Sequence, residues 1–568
     1  MLARFRWVQL QLAIFLNENP PLRLPEDVED KIEKIKNEVG LPVLNAVYND
    51  VYDMNTQNSR RGREYAVRAY RILLCALQPL TVQMLAEAVS LDPGGKRNPH
   101  VNEKYVMAIC STFIVADDEG IVRFAHLSVA EYLRSQAFTD LYSDANAHAQ
   151  AAEACLLHIV HRLPALHNRN ALTGPELSPF SDYAILFGLM HYESTSQEIR
   201  REGHHALLLS DFFGLKAPSL GFDLWTMLLN HGHNGLLTFS LVALQGVRQR
   251  LANAFKPQPT IISVSCAWGF AEIVETILVV KGSIPETSKE SLQAGLCIAS
   301  RLGHVEVAKI LLEKGADANY REKFSDPPAI FGALLANELP MVDLLLKHGA
   351  DIEAGGSDGL TPLQAATRGS RNEGVVQCLI KNGANAFVED LSGRTILHMA
   401  AQNEDVLLMK LFLDMGIDPN KVDRLGETAL TGTLRPGFED DHEENGEIVK
   451  ILLEKMSAAA VVSQDCHGRS ALVRAISAGL TSTVRVFIDA VDIKALSQLG
   501  REEAEEFTIL LQALRDVDPE LLESRLSKLQ DIACVDSAGL TQYLKGGDED
   551  VIMMRAQGDV TSRFTEEF

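Results

Sequence analysis

The strongest constraint on this chain is a short motif that returns at a nearly constant interval. A Gly, an Ala or Ile, and an Asp or Asn recur at separations of 34, 34 and 33 residues, each time after an apolar Leu-rich pair. A fixed period near 33 residues indicates a stacked array, because each unit is too small to bury its apolar face alone. The four copies begin at Gly315, Gly349, Gly383 and Gly416.

A second motif returns between these copies and keeps a fixed offset from them. It is a glycine followed two residues later by Thr or Ser and then by an apolar pair, and its hydroxyl residues are Thr361, Thr395, Thr428 and Ser470. The two motifs together resemble ankyrin repeats. This resemblance implies helix pairs joined by turns, and a stacked surface that contacts other proteins.

Charge is unevenly distributed along the 568 residues. The chain has a net charge of −23. Residues 1–256 carry 24 basic and 27 acidic side chains, whereas residues 257–568 carry 29 and 49. The repeat half is therefore strongly acidic. This disfavours nucleic-acid binding, which requires a positively charged surface.

The eight cysteines are scattered and form no Cys-x-x-Cys pair. Their spacing favours neither a structural zinc site nor a disulfide framework, and buried free thiols are typical of a reducing compartment. Residues 7–16 are apolar, but Gln9 and Gln11 interrupt them and no small-residue cleavage site follows. No apolar stretch reaches the roughly 18 residues of a membrane span. We expect a cytoplasmic protein without a membrane partner.

The front of the chain has the pattern of a winged helix. Helical apolar faces over residues 65–90 precede two β-like runs at 112–115 and 121–124, which an acidic Gly-containing turn joins into a hairpin. A further helix is predicted at Ser128–Leu133. Residues 146–256 are predicted to be helical throughout, the last of these helices at Leu236–Phe255.

Four segments resemble fungal NACHT/ankyrin signalling proteins, which belong to the STAND, NLR-like class. The first resembles the end of that family's nucleotide-binding module, the next two resemble the start and close of its winged helix, and the fourth resembles its helical connector. These segments are Phe5–Leu12, Arg71–Thr81, Arg123–Leu133 and Ser181–Tyr192. Their order is the family's order, so the resemblance covers the whole chain.

The chain departs from this family at the chemistry of the nucleotide site. A phosphate-binding loop needs a Gly-rich turn, a Lys for the phosphates and a Ser or Thr for magnesium. The one near match, Gly94-Gly95-Lys96-Arg97, lacks the upstream glycine and has Arg97 at the position of the magnesium ligand. We interpret it as a helix stop. No cofactor and no enzymatic activity are expected.

The predicted fold is mainly α: a winged-helix-like and connector region followed by an ankyrin-repeat solenoid. The predicted domains are a helical remnant of a NACHT-type module (1–60), a winged-helix-like domain (61–145), a helical connector (146–256), ankyrin repeats (257–490) and degenerate terminal repeats or a cap (491–568). The unit that begins at Gly426 carries an insertion of about nine residues within Arg435 to Asn445, which should form a surface loop because insertions in repeats map to turns.

Three other patterns are interpreted as structural. Gly355–Gly359 matches the nucleophile elbow of hydrolases, but an elbow needs a strand before the Ser and a helix directly after it. His158 and His161 have the i, i+3 spacing of paired metal ligands, yet a third ligand is not evident, so no metal site is predicted. His304 and His398 occupy positions where the ankyrin resemblance implies hydrogen bonds within and between repeats.

The ankyrin resemblance also implies which residues contact a partner. The turns and the starts of the inner helices form the concave face, and arginine is common at those positions although the array is acidic. Arginine pairs bidentately with carboxylates and stacks on aromatic rings. The predicted partner-binding residues are Arg301, Arg321, Arg368, Arg394, Gln402, Asn403, Arg424 and Arg469. Because such residues should be exposed, we expect reversing Arg394 and Arg469 to leave stability nearly unchanged.

The predicted function is a non-enzymatic protein-interaction scaffold or sensor, whose protein partner presents acidic groups to the concave face. One alternative is a fragment of a NACHT-type signalling NTPase whose P-loop lies outside this chain. A second alternative is a winged-helix transcription regulator, although residues 83–88 offer no basic recognition helix. The oligomeric state stays open.

Overall fold

The computed structural model divides the chain into two compact units, Met1–Glu322 and Lys323–Phe568. The predicted helix at Leu236–Phe255, the terminal region 491–568 and most of residues 1–60 lie outside the described residues. The structure describes residues 48–49, 52, 60–110, 113–135, 140–167, 178–201, 203–216, 219–230, 259–279, 289–321, 326–369, 372–434, 443–461, 463–471, 474–475, 483 and 486.

The first unit begins with helices around a small antiparallel sheet in the order β1-β3-β2. Ile114 pairs with Phe124 and Ala116 with Val122, so the predicted hairpin is confirmed. Thr81 ends β1 and caps the next helix, because its hydroxyl accepts the Met84 N–H at 3.2 Å. The elements are α1 (Arg60–Leu74), β1 (Leu80–Thr81), α2 (Val82–Val89), α3 (Glu103–Ile109), β2 (Ile114–Ala116), β3 (Ile121–Phe124) and α4 (Leu127–Leu133).

Helices connect this region to the first repeats. Their core is aromatic: Trp225 is buried, packs edge to face on Trp268 at 5.9 Å and donates its indole N–H to the Ile185 carbonyl at 2.8 Å. The helices are α5 (Asp144–Leu157), which continues as a π-helical turn (His158–Arg162), then α6 (Leu163–His167), α7 (Pro179–Glu193), α8 (Gln197–Arg201), α9 (Gly203–Phe212) and α10 (Leu220–Asn230).

Two helix pairs complete the first unit. They are α11 (Ile261–Ala267) with α12 (Ala271–Val279), and α13 (Lys289–Leu302) with α14 (Val305–Glu313). The pairs are tied together by His304, whose Nε2 lies 3.1 Å from the Ala267 carbonyl. This contact confirms the structural role predicted for His304.

The second unit repeats one helix pair along the chain. In the first three pairs a seven-residue inner helix is followed by a nine-residue outer helix; in the fourth, the inner helix has four residues and the outer helix has 13. The helices are α15 (Ala329–Leu335), α16 (Leu339–Lys347), α17 (Pro362–Arg368), α18 (Glu373–Lys381), α19 (Ile396–Gln402), α20 (Val406–Asp414), α21 (Ala429–Gly432), α22 (Glu443–Lys455) and α23 (Ala458–Val461). Because α22 begins at Glu443, residues 443–445 of the predicted insertion loop are helical, and 435–442 lie outside the described residues.

The Gly-Ala-Asp motif and its variants end the outer helices α14, α16, α18 and α20. After α18, Gly383 has φ of +93° and donates its N–H to the Ile380 carbonyl, while the Ala384 N–H bonds the Leu379 carbonyl. This is a Schellman motif, in which a left-handed glycine lets two amides satisfy carbonyls of the last turn. Ala384 is 8% exposed, so the motif also buries a small apolar side chain. The mainly helical fold with repeats at its C-terminal end is confirmed.

The left-handed conformation at Gly383 predicts a specific cost for adding a side chain. A Cβ there would meet no atom within 4 Å, so Gly383→Ala isolates backbone strain, about 1–2 kcal/mol of destabilisation. The control is Gly374→Ala in α18, where a Cβ would lie 3.9 Å from Leu339 and helix propensity favours Ala. Thermal unfolding followed by circular dichroism should show a lower Tm for Gly383→Ala alone. Equal melting of the two variants would contradict the assigned helix end.

Candidate protein-interaction surface

Three turns of the second unit share one hydrogen-bonded design. In the turn at residues 390–395, the Asp390 Oδ1 accepts the N–H groups of Ser392 at 2.8 Å and Arg394 at 2.9 Å. The Gly393 N–H bonds the Asp390 carbonyl, which closes the reversal. Asp423 and Asp465 make the equivalent bonds in the turns at 423–428 and 465–470. We call these three segments the Asp turns.

The Asp turns are also bonded to one another. The Arg424 N–H donates to the Ser392 carbonyl at 2.9 Å, and the Cys466 N–H donates to the Leu425 carbonyl at 2.8 Å. Antiparallel bridges, one of them between Val422 and Thr428, close the bases of the second and third turns. The backbone of the three turns therefore forms one continuous ladder, which holds the side chains between fixed neighbours.

The first two turns run directly into inner helices, α19 and α21, through the capping residues Thr395 and Thr428. Thr395 caps α19, and its backbone N–H and hydroxyl both meet the His398 Nδ1, at 3.1 and 2.9 Å. The other ring nitrogen, Nε2, lies 3.0 Å from the Glu427 carbonyl of the next turn. Burial lowers the pKa of His398, which keeps its ring neutral. The structural role predicted for His398 is confirmed.

The pKa values of Asp390 and Asp465 are shifted toward the ionised form. Burial by itself would raise the pKa of Asp390, but hydrogen bonds from the Arg394 backbone and side chain outweigh it, so this pKa lies below its ordinary value. The pKa of Asp465 is lowered in the same way, against burial, by bonds from Arg469 and Arg474. Both carboxylates are thus held as anions inside the turns.

Arg394 and Arg469 form ion pairs with these carboxylates. Arg394 lies 2.8 Å from the Asp390 carboxylate, and the two side chains are 23% and 3% exposed. Arg469 lies 3.3 Å from the buried Asp465 carboxylate and is 45% exposed. Reversing the charge of Arg394 would place two carboxylates together in a nearly buried turn. For Arg394 we therefore expect a loss of stability instead of the unchanged stability expected from the sequence.

The other predicted contact residues of the second unit differ in their environment. Arg368 ends α17 and pairs with Asp358 at 3.3 Å, with both side chains about half exposed. Arg424 is exposed on the second Asp turn. Gln402 and Asn403 are partly buried, and the Asn403 amide donates to the Thr367 carbonyl at 2.6 Å, which links neighbouring inner helices.

Arg301 and Arg321 lie in the first unit. Arg301 is exposed in the last turn of α13, and Arg321 is partly buried beyond α14. The structure thus places six of the eight predicted contact residues on the turns and inner helices of one unit.

Two features of this surface were missed by the sequence analysis. Arg474 bridges two Asp turns, since it contacts Glu427 and lies 2.6 Å from Asp465. Arg474 does not occupy a position that either repeat motif specifies. Apolar side chains also stand exposed on and beside the turns: Phe387 (62%), Leu391 (70%), Val422 (43%) and Leu425 (53%). Leucine at a turn tip, where solvent would favour polar residues, was the signal that could have revealed them.

The remaining candidates are structural where they are described. Gly355–Gly359 forms a turn, and α17 starts only at Pro362, so the geometry of a nucleophile elbow is absent there. The Gly95 backbone packs against the His161 ring. His158 is buried with its Nε2 2.9 Å from the Ser181 hydroxyl, and burial lowers its pKa to about 3. His158 and His161 thus face different neighbours.

Models of two kinds of protein family, ankyrin repeats and a winged-helix domain, match separate regions of the chain. A model described as ankyrin repeats (3 copies) matches residues 330–423, and a single ankyrin repeat matches 296–323. A model described as GPI inositol-deacylase, winged helix domain matches residues 52–146.

Several curated proteins are similar to part of the chain. The ankyrin repeat and KH domain-containing protein mask-1 of Caenorhabditis elegans is 28% identical over 36% of this chain and 9% of its own length. The E3 ubiquitin-protein ligase KEG of Arabidopsis thaliana is 27% identical over 40% and 14%. The ankyrin repeat and SOCS box protein 6 of Pongo abelii is 30% identical over 25% and 36%. The chain spans at most about a third of the length of these relatives.

The chain therefore contains C-terminal ankyrin repeats, preceded by a winged-helix domain of the GPI-inositol-deacylase type, which is a NACHT-associated type. Among the described helices, none combines the length and apolar character that crossing a bilayer requires.

The ion pairs predict unequal effects of reversing two arginines. Arg394→Glu should destabilise the second unit by about 1–3 kcal/mol, because it leaves the nearly buried Asp390 beside a like charge. Arg368→Glu should cost less than about 1 kcal/mol, since its half-exposed pair is screened by solvent. Urea unfolding followed by circular dichroism measures both. Equal losses would show that the Asp390 pair has no special role.

The turn carboxylates also predict a pH dependence. Because the folded pKa of Asp390 and Asp465 is depressed, their stabilisation is fully present above the unfolded value of about 3.9 and is lost as the pH falls through the folded pKa. Asp390→Asn with Asp465→Asn should therefore flatten the loss of Tm between about pH 4 and pH 2. The control is Asp351→Asn on an exposed aspartate. The same slope in all three proteins would contradict the assignment.

Proposed function

We propose that the chain is a non-enzymatic protein-interaction scaffold or sensor, and that its partner binds the Asp turns and inner helices of the second unit. The observation that carries this proposal is the ladder of Asp turns, which presents exposed apolar side chains beside arginines. Apolar anchors with arginine are typical of binding hot spots. The ankyrin-repeat relatives support a role in protein interaction.

The surface also suggests the chemistry of the partner. Leu391 lies against Gly359, where an added Cβ would come within 3.1 Å of its Cδ1, and the Arg424 stem covers Gly393 in the same way. Each side chain thus contacts the glycine of the preceding turn. A partner that offers an apolar side chain between Leu391 and Leu425, with acidic groups for the arginines, would fit this surface.

Arginines that are already paired contribute differently from exposed ones. Arg394 and Arg469 must keep or exchange their bonds to the turn aspartates, so a partner carboxylate would gain little from them. Arg424 and Arg368 are exposed or half exposed. We infer that these two provide most of the charge attraction, which steers association and weakens as salt screens it.

The winged helix and connector support a NACHT-type architecture for the front of the chain. In this proposal the region is a regulatory arm without its own nucleotide site, since the printed sequence contains no Gly-Lys-Ser/Thr triplet. A major-groove reader is disfavoured, because α2 buries Met84 through Val89, including Glu87. A cytoplasmic location completes the proposal.

The test compares two variants of the full chain that change charge equally. Leu391→Glu with Arg424→Glu alters the Asp turns, whereas Leu407→Glu with Lys381→Glu alters exposed positions of the outer helices α20 and α18. Affinity capture from an extract of the native host, followed by mass spectrometry and titration of each recovered protein, identifies the partner. The turn variant should bind it at least about tenfold more weakly, and the control should bind normally.

Circular dichroism must first show that both variants are folded. Full binding by the folded turn variant would overturn the proposed surface. Loss of binding in the outer-helix control alone would move the site to the opposite side of the repeats.

A further inference from the structure

Three helices of the first unit bring a thiol and two imidazoles together. Cys75 directly follows α1, His148 lies on α5 and His191 lies on α7. One ligand atom from each residue lies within 4.8 Å of the others. Cys75 and His191 are buried, and His148 is partly exposed, so solvent reaches the cluster from one side.

The two imidazoles face each other through the same ring nitrogen. The Nδ1 atoms of His148 and His191 are 2.9 Å apart, with the ring centroids separated by 5.0 Å. A hydrogen bond at this distance needs a proton on one nitrogen and a lone pair on the other. At least one imidazole lone pair is therefore directed into the cluster.

A second layer of contacts orients His191. Its Nε2 lies 2.8 Å from the Tyr183 hydroxyl, which in turn accepts the Leu77 N–H at 3.3 Å. With a metal bound, His191 would carry its proton on Nε2 and donate it to the tyrosine oxygen, which leaves the Nδ1 lone pair for the metal. A histidine that donates one ring N–H to a fixed oxygen while its other nitrogen faces a ligand is the usual arrangement around protein-bound metals.

We propose that Cys75, His148 and His191 form a binding site for a zinc-class divalent metal ion. Thiolate and imidazole ligands favour zinc over calcium or magnesium, which take oxygen ligands. Zinc bond lengths of about 2.0–2.3 Å place tetrahedral ligand atoms about 3.3–3.6 Å apart, which small side-chain rotations from the present geometry supply. The half-exposed side of His148 leaves the fourth position to water.

Binding requires a defined movement of protons. The Cys75 thiol would lose its proton to solvent, and the proton between the two Nδ1 atoms would shift to the Nε2 of the ring that carries it, so that both Nδ1 lone pairs could reach the metal. Burial raises the pKa of the free thiol to about 12, so the metal itself must provide the charge that stabilises the thiolate. Asp144, one turn before His148, places a carboxylate near the resulting positive charge.

The site would join parts of the chain that lie far apart in sequence. Residues 52–146 match the winged-helix model, so Cys75 lies inside this domain while His191 lies in the connector. The metal would thus fasten the winged helix to the connector. The two histidines are 43 residues apart, so no closely spaced ligand motif marks them in the sequence.

The test is titration of the metal-free, reduced full chain with Co²⁺, which reports its ligands by absorption. We expect one Co²⁺ per chain, a thiolate-to-cobalt charge-transfer band and the intense visible bands of tetrahedral cobalt. Cys75→Ser should lose the charge-transfer band and His148→Gln the tetrahedral spectrum. Tyr183→Phe, which removes only the second layer, should weaken binding by about 10–100-fold. Cys466→Ser, on an exposed thiol beside His467, is the control and should keep both features.

Three results would overturn the proposal: no charge-transfer band in the native chain, an unchanged band in Cys75→Ser, or loss of the band in Cys466→Ser. Should the core variants fail to fold, the native chain loaded with Zn²⁺ decides by X-ray absorption. One sulfur and two imidazoles around zinc would support the site, and a shell without sulfur would reject it.

Discussion

The second unit depends on carboxylates that are buried inside turns. A repeat of about 33 residues cannot enclose a core, so its helices are stable only when their neighbours are held at the correct distance. Asp390, Asp423 and Asp465 provide this by accepting backbone N–H groups, which costs desolvation but satisfies amides that would otherwise lack partners in a tight reversal. The hydrogen bonds between neighbouring turns then fix the position of each repeat relative to the next.

The same carboxylates explain how arginines can be frequent on a strongly acidic array. Three of these arginines form ion pairs with turn aspartates: Arg394, Arg469 and Arg474. A partner bound at the proposed surface would meet charges that are partly paired already, so apolar contact would carry more of the affinity. The exposed Leu391 and Leu425 side chains match this division between electrostatic steering and apolar anchoring.

Much of the fold could be predicted because its signals are local. The Gly-Ala-Asp motif encodes a left-handed helix end, and Thr395 encodes a helix start; both act through neighbours within a few residues. The hairpin at 114–124 has the same local origin. Partner contacts were harder to judge, because the same arginine can face solvent or a turn. Asp390, four residues before Arg394, and Asp465, four before Arg469, were available signals that repeat-position reasoning did not use. Arg474 and the Cys75–His148–His191 cluster depend on tertiary packing, which sequence spacing does not encode.

The Asp turns of the second unit are the proposed binding surface for a protein partner. Hydrogen–deuterium exchange of the full chain, measured by mass spectrometry with and without its captured partner, tests this claim most directly because it reports the backbone amides without altering them. The account predicts slower exchange in peptides covering 387–395 and 422–428 on binding, with unchanged exchange in the outer helices α18 and α20. Slower exchange confined to the outer helices or to the winged helix, with the Asp turns unaffected, would contradict it.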